Sequence, residues 1–358
     1  MCKNYNLFCI FAFMNFLRKI AYPFSILYGI ITSIRNFLYD INVLKSTKFK
    51  TPTLVVGNLS VGGTGKTPQI EYLIRLLKND YKIAVLSRGY KRKSTGFIIA
   101  DSQASAELIG DEPYQYYKKF KNIIVCVDAD RTNAIQQLEK LENPPDVILL
   151  DDAYQHRKVV GGFNILLTDY SNLYVKDTML PTGNLREHKS GAKRAQLIVV
   201  TKCPKNLTKE AQLVITKKIN PAKNQQVFFT AIDYNSNLKG ASEIDLSELQ
   251  YFEVLLVTGI ANPVPLTNYL KEQNIHFKHL EYPDHYNFKT QDIDKINAEI
   301  NNFKLNKKLV LTTEKDYVRI FDKVKDLHYI SIKSFFISDG NDFDKKIKNY
   351  VEQSSRNS

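Results

Sequence analysis

The sequence predicts an α/β fold built on a parallel sheet, and three observations carry that expectation. Short apolar runs alternate with helical patterns along most of the chain, as βαβ units require. A glycine-rich turn, "SVGGTGKTP" at 60–68, lies between the apolar run "TLVVGNL" and the helical "QIEYLIRLLK". A second apolar run, "DVILL", ends in the adjacent carboxylates Asp151 and Asp152. With 358 residues, 44% hydrophobic and 24% charged, the chain is globular and long enough for two domains.

At the amino terminus, "LFCIFAFMNFL" and "IAYPFSILYGIITSI" are apolar but split by Arg18 and Lys19. Neither run reaches the roughly 18–20 residues of a membrane-spanning helix. No small-x-small site follows, so a cleaved signal peptide is not expected. Ile20, Phe24, Leu27, Ile31, Ile34 and Leu38 recur at helical spacing with basic residues at both ends. Such a helix either lies in a membrane interface or docks on the protein's own core, and the spacing alone does not choose. Residues 1–50 carry seven Lys or Arg against Asp40 alone, a large share of the formal net charge of +13. That surplus suits polyanions: nucleic acid, acidic lipid or phosphorylated substrates.

From 46 to 235 the expected strands are "TLVVGN", "KIAVLS", "GFIIA", "NIIVCV", "DVILL", "FNILLT", "QLIVV" and "QVFFTA". "QIEYLIRLLKND" and "RTNAIQQLEKL" read as helices. Around 235–250 the chain turns polar, which reads as a linker. "FEVLLVTGI", "HFKHLEYP", "KLVLTTEKD" and "LHYISI" then supply the strands of a smaller α/β domain. The expected division is an apolar and basic segment 1–45, a main domain 46–235, a smaller domain 236–350, and a frayed tail 351–358. Cys2, Cys9, Cys126 and Cys203 are scattered and form no C-x-x-C pair. They argue against a zinc site or a disulfide framework and for a reducing compartment. Cys126, inside "NIIVCV", reads as a buried structural thiol.

Gly65-Lys66-Thr67, closing a strand and opening a helix, is the working half of the Walker A pattern, so the main sheet is expected to be of the P-loop NTPase type. Its backbone amides face phosphate oxygens, Lys66 places charge at the β- and γ-phosphates, and Thr67 offers a hydroxyl to Mg²⁺. The expected nucleotide contacts are Ser60, Val61, Gly62, Gly63, Thr64, Gly65, Lys66 and Thr67. Ser60 stands where the pattern has its first glycine, while Gly62 and Gly63 restore freedom inside the loop. Asp151 and Asp152 follow four apolar residues, where a strand would present carboxylates to the Mg²⁺ shell. "LIVVTKCP" has the start of the guanine-reading [NT]-K-x-D element, but Pro204 replaces the aspartate and cannot accept the guanine protons. ATP is therefore expected over GTP.

Further stretches rich in reactive types are "SRGY" (87–90), "GDEP" (110–113), "DDAYQH" (151–156), "LPTGNLRE" (180–187), "PDHYNF" (283–288) and "TTEKD" (312–316). Singly, each is what a turn or helix cap would show; Asp111 before Glu112-Pro113 is a common helix start. Together and in this order, with "PFSILYGIITSIRNFLY", "VVGNLSVGGTGKTP" and "GIANP", they resemble the tetraacyldisaccharide 4′-kinase family of lipid A biosynthesis, from about residue 20 to 330. Ser60 fits that resemblance, since the family tends to carry a hydroxyl residue there. Ala153-Tyr154 in place of the more usual Gly-Leu is a small departure, and the first thirteen residues have no counterpart.

The resemblance implies an ATP- and Mg²⁺-dependent enzyme on the cytoplasmic face of a Gram-negative inner membrane. It would phosphorylate the 4′-hydroxyl of an acylated glucosamine disaccharide 1-phosphate, giving lipid IVA. Acyl chains hold that substrate in the bilayer at ~0.8 kcal/mol per buried CH₂, so the resemblance favours the interfacial setting for the amino-terminal helix, against anionic lipid. It also implies Asp111 as general base paired with His285, and Glu112 assisting the metal or nucleotide. Arg88, Gln155, His156, Arg186 and Glu187 would lie near the disaccharide or the phosphates. Two rivals remain to be weighed. A ParA/MinD-like ATPase would carry a signature lysine where Val61 stands and lacks the "PDH" element. A nucleic-acid-binding ATPase would need an aromatic-basic recognition motif, whereas here the charge clusters beside an apolar helix, so no nucleic-acid partner is expected.

Overall fold

The strands, in chain order, are β1 (Thr53–Asn58), β2 (Ile83–Ser87), β3 (Ile98–Ile99), β4 (Ile124–Val127), β5 (Val147–Asp151), β6 (Phe163–Asp169), β7 (Leu197–Thr201) and β8 (Gln226–Tyr234). Then come β9 (Asn237–Gly240), β10 (Ile244–Asp245), β11 (Glu253–Thr258), β12 (Phe277–Glu281), β13 (Lys308–Thr313), β14 (Leu327–Ile330) and β15 (Ile332–Phe336). The computed structural model describes residues 18, 20–284, 286–320 and 323–356. Nine strands form one sheet in the order β15-β8-β7-β6-β1-β5-β2-β4-β3, and six form a second, β10-β9-β14-β13-β11-β12.

β1 is buried along its whole length and lies between β5 and β6, parallel to both. Its alternation feeds two cores. Leu54 and Val56 face one cluster, and Val55 faces the other, which also takes Leu59. A strand covered on both faces must be apolar at successive positions, which is why "TLVV" reads as a continuous run. Helix α2 (Lys66–Leu77) covers one face through Ile70, Leu73, Ile74 and Leu77. Only β3 and β15, at the two edges, run antiparallel to their neighbours. In the second sheet β11, β12, β13 and β14 are parallel, and β9 and β10 add an antiparallel edge.

Three features differ from the sequence expectation. The polar stretch at 235–250 is more than a linker, for it holds β9, β10 and a short 3₁₀ turn at Leu246–Tyr251. Edge strands expose much of their surface, so a polar sequence suffices for them. Second, "LHYISI" is two strands in two sheets. β14 pairs with β13, whereas β15, after Ser331, crosses back to pair with β8 of the first sheet. Third, residues 340–356 are helical and do not fray at 351. Phe343, Ile347 and Val351 form an i, i+4, i+8 stripe of 0% exposure against the same core as α2. That stripe is sparse in a charged stretch, and its worth depends on the sheet that receives it. The remaining helices are α3 (Ala106–Ile109), α4 (Asp111–Lys119), α5 (Arg131–Glu139), α6 (Lys209–Ile219), α7 (Val264–Glu272), α8 (Thr290–Asn301) and α9 (Glu314–Ile320), with the last labelled α10 (Gly340–Arg356).

Helix α1 (Tyr22–Asp40) docks by its small and polar side. Ser25 meets Thr182 at 2.6 Å, the Tyr28 hydroxyl donates to the Arg186 carbonyl at 3.0 Å, and Asn36 donates to Glu187 at 2.8 Å. The large apolar residues point away: Ile20, Phe24, Leu27, Ile31 and Ile34 are all more than half exposed, as are Tyr22, Ile30 and Phe37. Leu38, at the end of the expected stripe, is half-buried. Among the described residues no helix is long and apolar enough to cross a membrane.

Candidate active site

Gly65 caps α2 with φ +81°, a left-handed conformation that favours glycine, and so turns the chain from the loop into the helix. Lys66 is thereby the first helical residue. Its Nζ lies 3.7 Å from Asp152 and 3.5 Å from Asn58 Oδ1, at the end of β1. Two neighbouring segments brace the loop. On one side Ser60 bridges to Leu185, Val61 N–H donates to the Asn184 carbonyl at 2.8 Å, and Arg186 N–H donates to the Leu59 carbonyl at 2.7 Å. On the other, the Thr201 hydroxyl donates to the Thr64 carbonyl at 2.8 Å and Lys202 Nζ donates to the Gly63 carbonyl. Ser60 is buried in this pairing, while Val61, Gly62 and Gly63 form the exposed lip of the loop.

The carboxylates at the end of β5 have different surroundings. Asp152 sits at φ +48° and receives Lys66 and two Arg186 N–H groups at 2.9 and 3.3 Å. Burial opposes its ionisation, but Lys66 and Arg186 outweigh burial and hold its carboxyl below the usual range. Asp151 is buried, and its Oδ2 accepts from Ser87 at 3.0 Å and Tyr116 at 3.3 Å. Its Oδ1 is buried with no partner. Burial, then Glu112 and Asp152, push its carboxyl up to about 6. An orphaned, anionic oxygen of this kind fits a hard cation. Among the described residues no three His, Cys, Asp or Glu side chains converge on one point.

The "GDEP" element starts α4. Gly110, at φ +93°, is its N-cap, where a Cβ would come within 3.2 Å of the Gly89 backbone of "SRGY", and no side chain caps the helix. Asp111 is therefore not spent on capping. Its Oδ2 receives Arg319 of α9 instead, Nε at 3.2 Å and Nη2 closer still. Glu112 lies 3.9 Å from Lys315, which also reaches Asp284 at 3.6 Å, so "TTEKD" connects "GDEP" to "PDHYNF". His285 lies outside the described residues.

The remaining expected residues divide. Arg186 joins Asp152 and Asn58 at the loop. Gln155 donates to the Asn58 carbonyl at 2.7 Å and to Glu187 at 2.9 Å. Glu187 is buried and its oxygens receive Arg194, Gln155 and Asn36, which makes it a hub tying α1 to the loops. His156 turns into a cavity of about 170 Å³ shared with Arg131, Arg157 and Arg194. Burial, with Arg131 beside it, lowers its pKa to about 4, so the imidazole is neutral at pH 7. Arg88 is exposed, near enough to Arg131 to depress the latter's pKa after burial has done so. Sequence reasoning passed over Asn58, Lys202, Lys315 and Arg319. "GNLS" and "TKCP" flank or face the loop and could have drawn attention to the first two. Nothing local marks Arg319.

A glycine-rich loop closing a central parallel strand, with a lysine aimed at paired carboxylates on the next strand, places the chain among the P-loop phosphotransferases. Known proteins narrow that class. The profile of the tetraacyldisaccharide-1-P 4′-kinase family, LpxK, matches residues 17–352, and the chain belongs to this family. It is 55% identical over 343 residues to the tetraacyldisaccharide 4′-kinase of Flavobacterium johnsoniae, covering 95% of this chain and 99% of that one. The Bacteroides thetaiotaomicron tetraacyldisaccharide 4′-kinase is 41% identical over 362 residues, covering 96% and 95%. The crystal structure of "apo" form LpxK from Aquifex aeolicus in complex with ATP superposes with a TM-score of 0.75 at 32% identity, covering 94% of this chain and 99% of that one. Family membership decides against the ParA/MinD-like alternative.

Proposed function

We infer that the chain transfers the γ-phosphoryl group of ATP to the 4′-hydroxyl of a tetraacyldisaccharide 1-phosphate, giving lipid IVA. The observation that carries this reading is the meeting of Lys66, Asp152 and Arg186 beside the orphaned Asp151 Oδ1, at the mouth of the phosphate loop. The loop amides and Lys66 hold the β- and γ-phosphates. Thr67 and Asp151 are the residues that would hold Mg²⁺, with Asp152 orienting Lys66 and Arg186. When bound, Mg²⁺ supplies charge neutralisation at the phosphoryl oxygens. Asp111 takes the hydroxyl proton, with His285 as its partner, and Glu112 supports the site beside it. Arg88, Gln155 and His156 are our candidates for contacts with the acceptor. We further propose that the two sheets act as separate lobes whose closure brings this constellation together. With γ-labelled ATP and tetraacyldisaccharide 1-phosphate in mixed micelles, the label is expected in the lipid. Phosphate release without labelled lipid would overturn the reading.

The same proposal places α1 in the interface on the cytoplasmic face of the inner membrane. Among the described residues, docking by the polar side leaves the apolar side uncovered, while Arg35, Lys45 and Lys48 are set to meet anionic headgroups. Each large apolar side chain contributes roughly 1.5–3 kcal/mol when fully withdrawn from water. The triple change Phe24→Ser, Leu27→Ser, Ile31→Ser is expected to weaken binding to anionic vesicles at least ~100-fold. Thermal stability should stay near that of the parent, because all three residues are exposed. Unchanged sedimentation with vesicles would rule the interfacial helix out.

A further inference from the structure

Helix α9 sets three charged side chains along α4. Glu314 meets Lys119 at 2.7 Å, Lys315 lies 3.9 Å from Glu112, and Arg319 pairs with Asp111. Arg319 stands apart in depth and geometry. Its side chain is 9% exposed, and its guanidinium spans two carboxylates. Nη1 donates to Asp316 Oδ1 at 3.1 Å, while Nε and Nη2 both donate to Asp111 Oδ2. Asp316 is fully buried, and its Oδ2 accepts from the Gly259 N–H at 2.9 Å and the Thr313 hydroxyl at 2.8 Å. One oxygen of Asp316 is thus tied to the ends of β11 and β13 and the other to Arg319. The arginine is anchored before it reaches across to the other sheet.

We propose that Arg319 is a positioning residue for phosphoryl transfer: anchored on Asp316, it orients the Asp111 carboxylate. The proposal rests on Asp111 being the base, as set out above. Two N–H groups converging on one carboxylate oxygen restrict rotation about the side-chain bonds of Asp111. The planar fork matters, because a lysine ammonium cannot hold both carboxylates in fixed planes. Among the described residues, the charged groups near Asp111 include Glu112 on its own helix, Lys315 and Asp316 on α9, and Asp284 beyond Lys315. Since the second sheet supplies both Asp316 and Arg319, it controls the geometry of a base carried by the first.

Steady-state kinetics of the full chain with ATP and the lipid acceptor test this. Arg319→Gln is expected to lower kcat about 10–100-fold with the KM for ATP and for the acceptor within about twofold. Arg319→Lys should recover part of kcat with both KM values again unchanged. A parental kcat in Arg319→Gln overturns the proposal, and so does a fall in kcat matched by a rise in KM or by a lower melting temperature, for that is a purely structural role. If Arg319→Gln does not fold, an Arg319→Lys enzyme with parental kcat overturns it. Asp111→Asn separates the two readings. Parental turnover in that variant removes Asp111 as the base, whereas an inactive Asp111→Asn beside an Arg319→Gln of parental kcat removes Arg319 alone.

Discussion

Asp111→Asn is expected to lower kcat by about 10²–10⁴-fold, the range that a positioned general base supplies. The substitution keeps the volume and one acceptor oxygen, so Arg319 retains a partner and the start of α4 stays in place. ATP binding should change little, since the 60–67 loop and Lys66, not Asp111, are assigned to the phosphates. The measurement is single-turnover transfer to the lipid acceptor, with nucleotide affinity measured in parallel. A parental rate constant would mean that the hydroxyl proton goes elsewhere. Loss of nucleotide affinity matching the loss of rate would mean that Asp111 serves the fold or the phosphates and not the proton.

Asp151→Asn is expected to separate activity from stability. Transfer should fall by roughly 10²-fold or more, because the buried oxygen suited to Mg²⁺ is lost. The ligand-free protein should become more stable. Asp151 titrates at about 6 in the folded protein, above its value of 3.8 when unperturbed, so the folded state holds the proton more tightly. The resulting stability is present below the unfolded pKa and is lost as pH rises through about 6. Above that, the ionised, half-satisfied carboxylate costs on the order of 2–3 kcal/mol, which asparagine avoids. The stability gain should therefore be small near pH 4 and full above pH 6, read from denaturant unfolding across that range. A gain independent of pH would assign it to packing. The absence of any gain would mean that Asp151 is already compensated in the ligand-free protein.

Much of the first sheet was legible because its signal is local. A strand buried on both faces needs consecutive apolar residues, and a phosphate loop needs glycines and a lysine at fixed spacing. "TLVVGN" and "DVILL" accordingly appear as β1 and β5, flanking the loop as expected. The second sheet's edge was not legible, since β9 and β10 carry no apolar run. Nor was the return of residues 332–356, because "LHYISI" changes sheets within one short stretch that reads as a single strand. Helix α1 shows the same limit. Its apolar stripe was plain in the sequence, but which side would face the protein was settled by Ser25, Tyr28 and Asn36 finding partners more than 150 residues away.

The sequence by itself determined the strands that meet at the site, the loop between β1 and α2, the carboxylates at the end of β5, and the motifs that lead to the family. Each of these follows from backbone hydrogen bonding, two-sided burial or fixed spacing, all of which act over a few residues. The tertiary structure alone decided how the charges pair. Asp151 keeps an unpartnered oxygen while Asp152 is shared by Lys66 and Arg186, although the two are neighbours in the chain. Asp111 meets Arg319 across 208 residues of sequence, from one sheet to the other. The strength of such a pair depends on distance through space and on the water excluded around it, and neither is written in any local pattern.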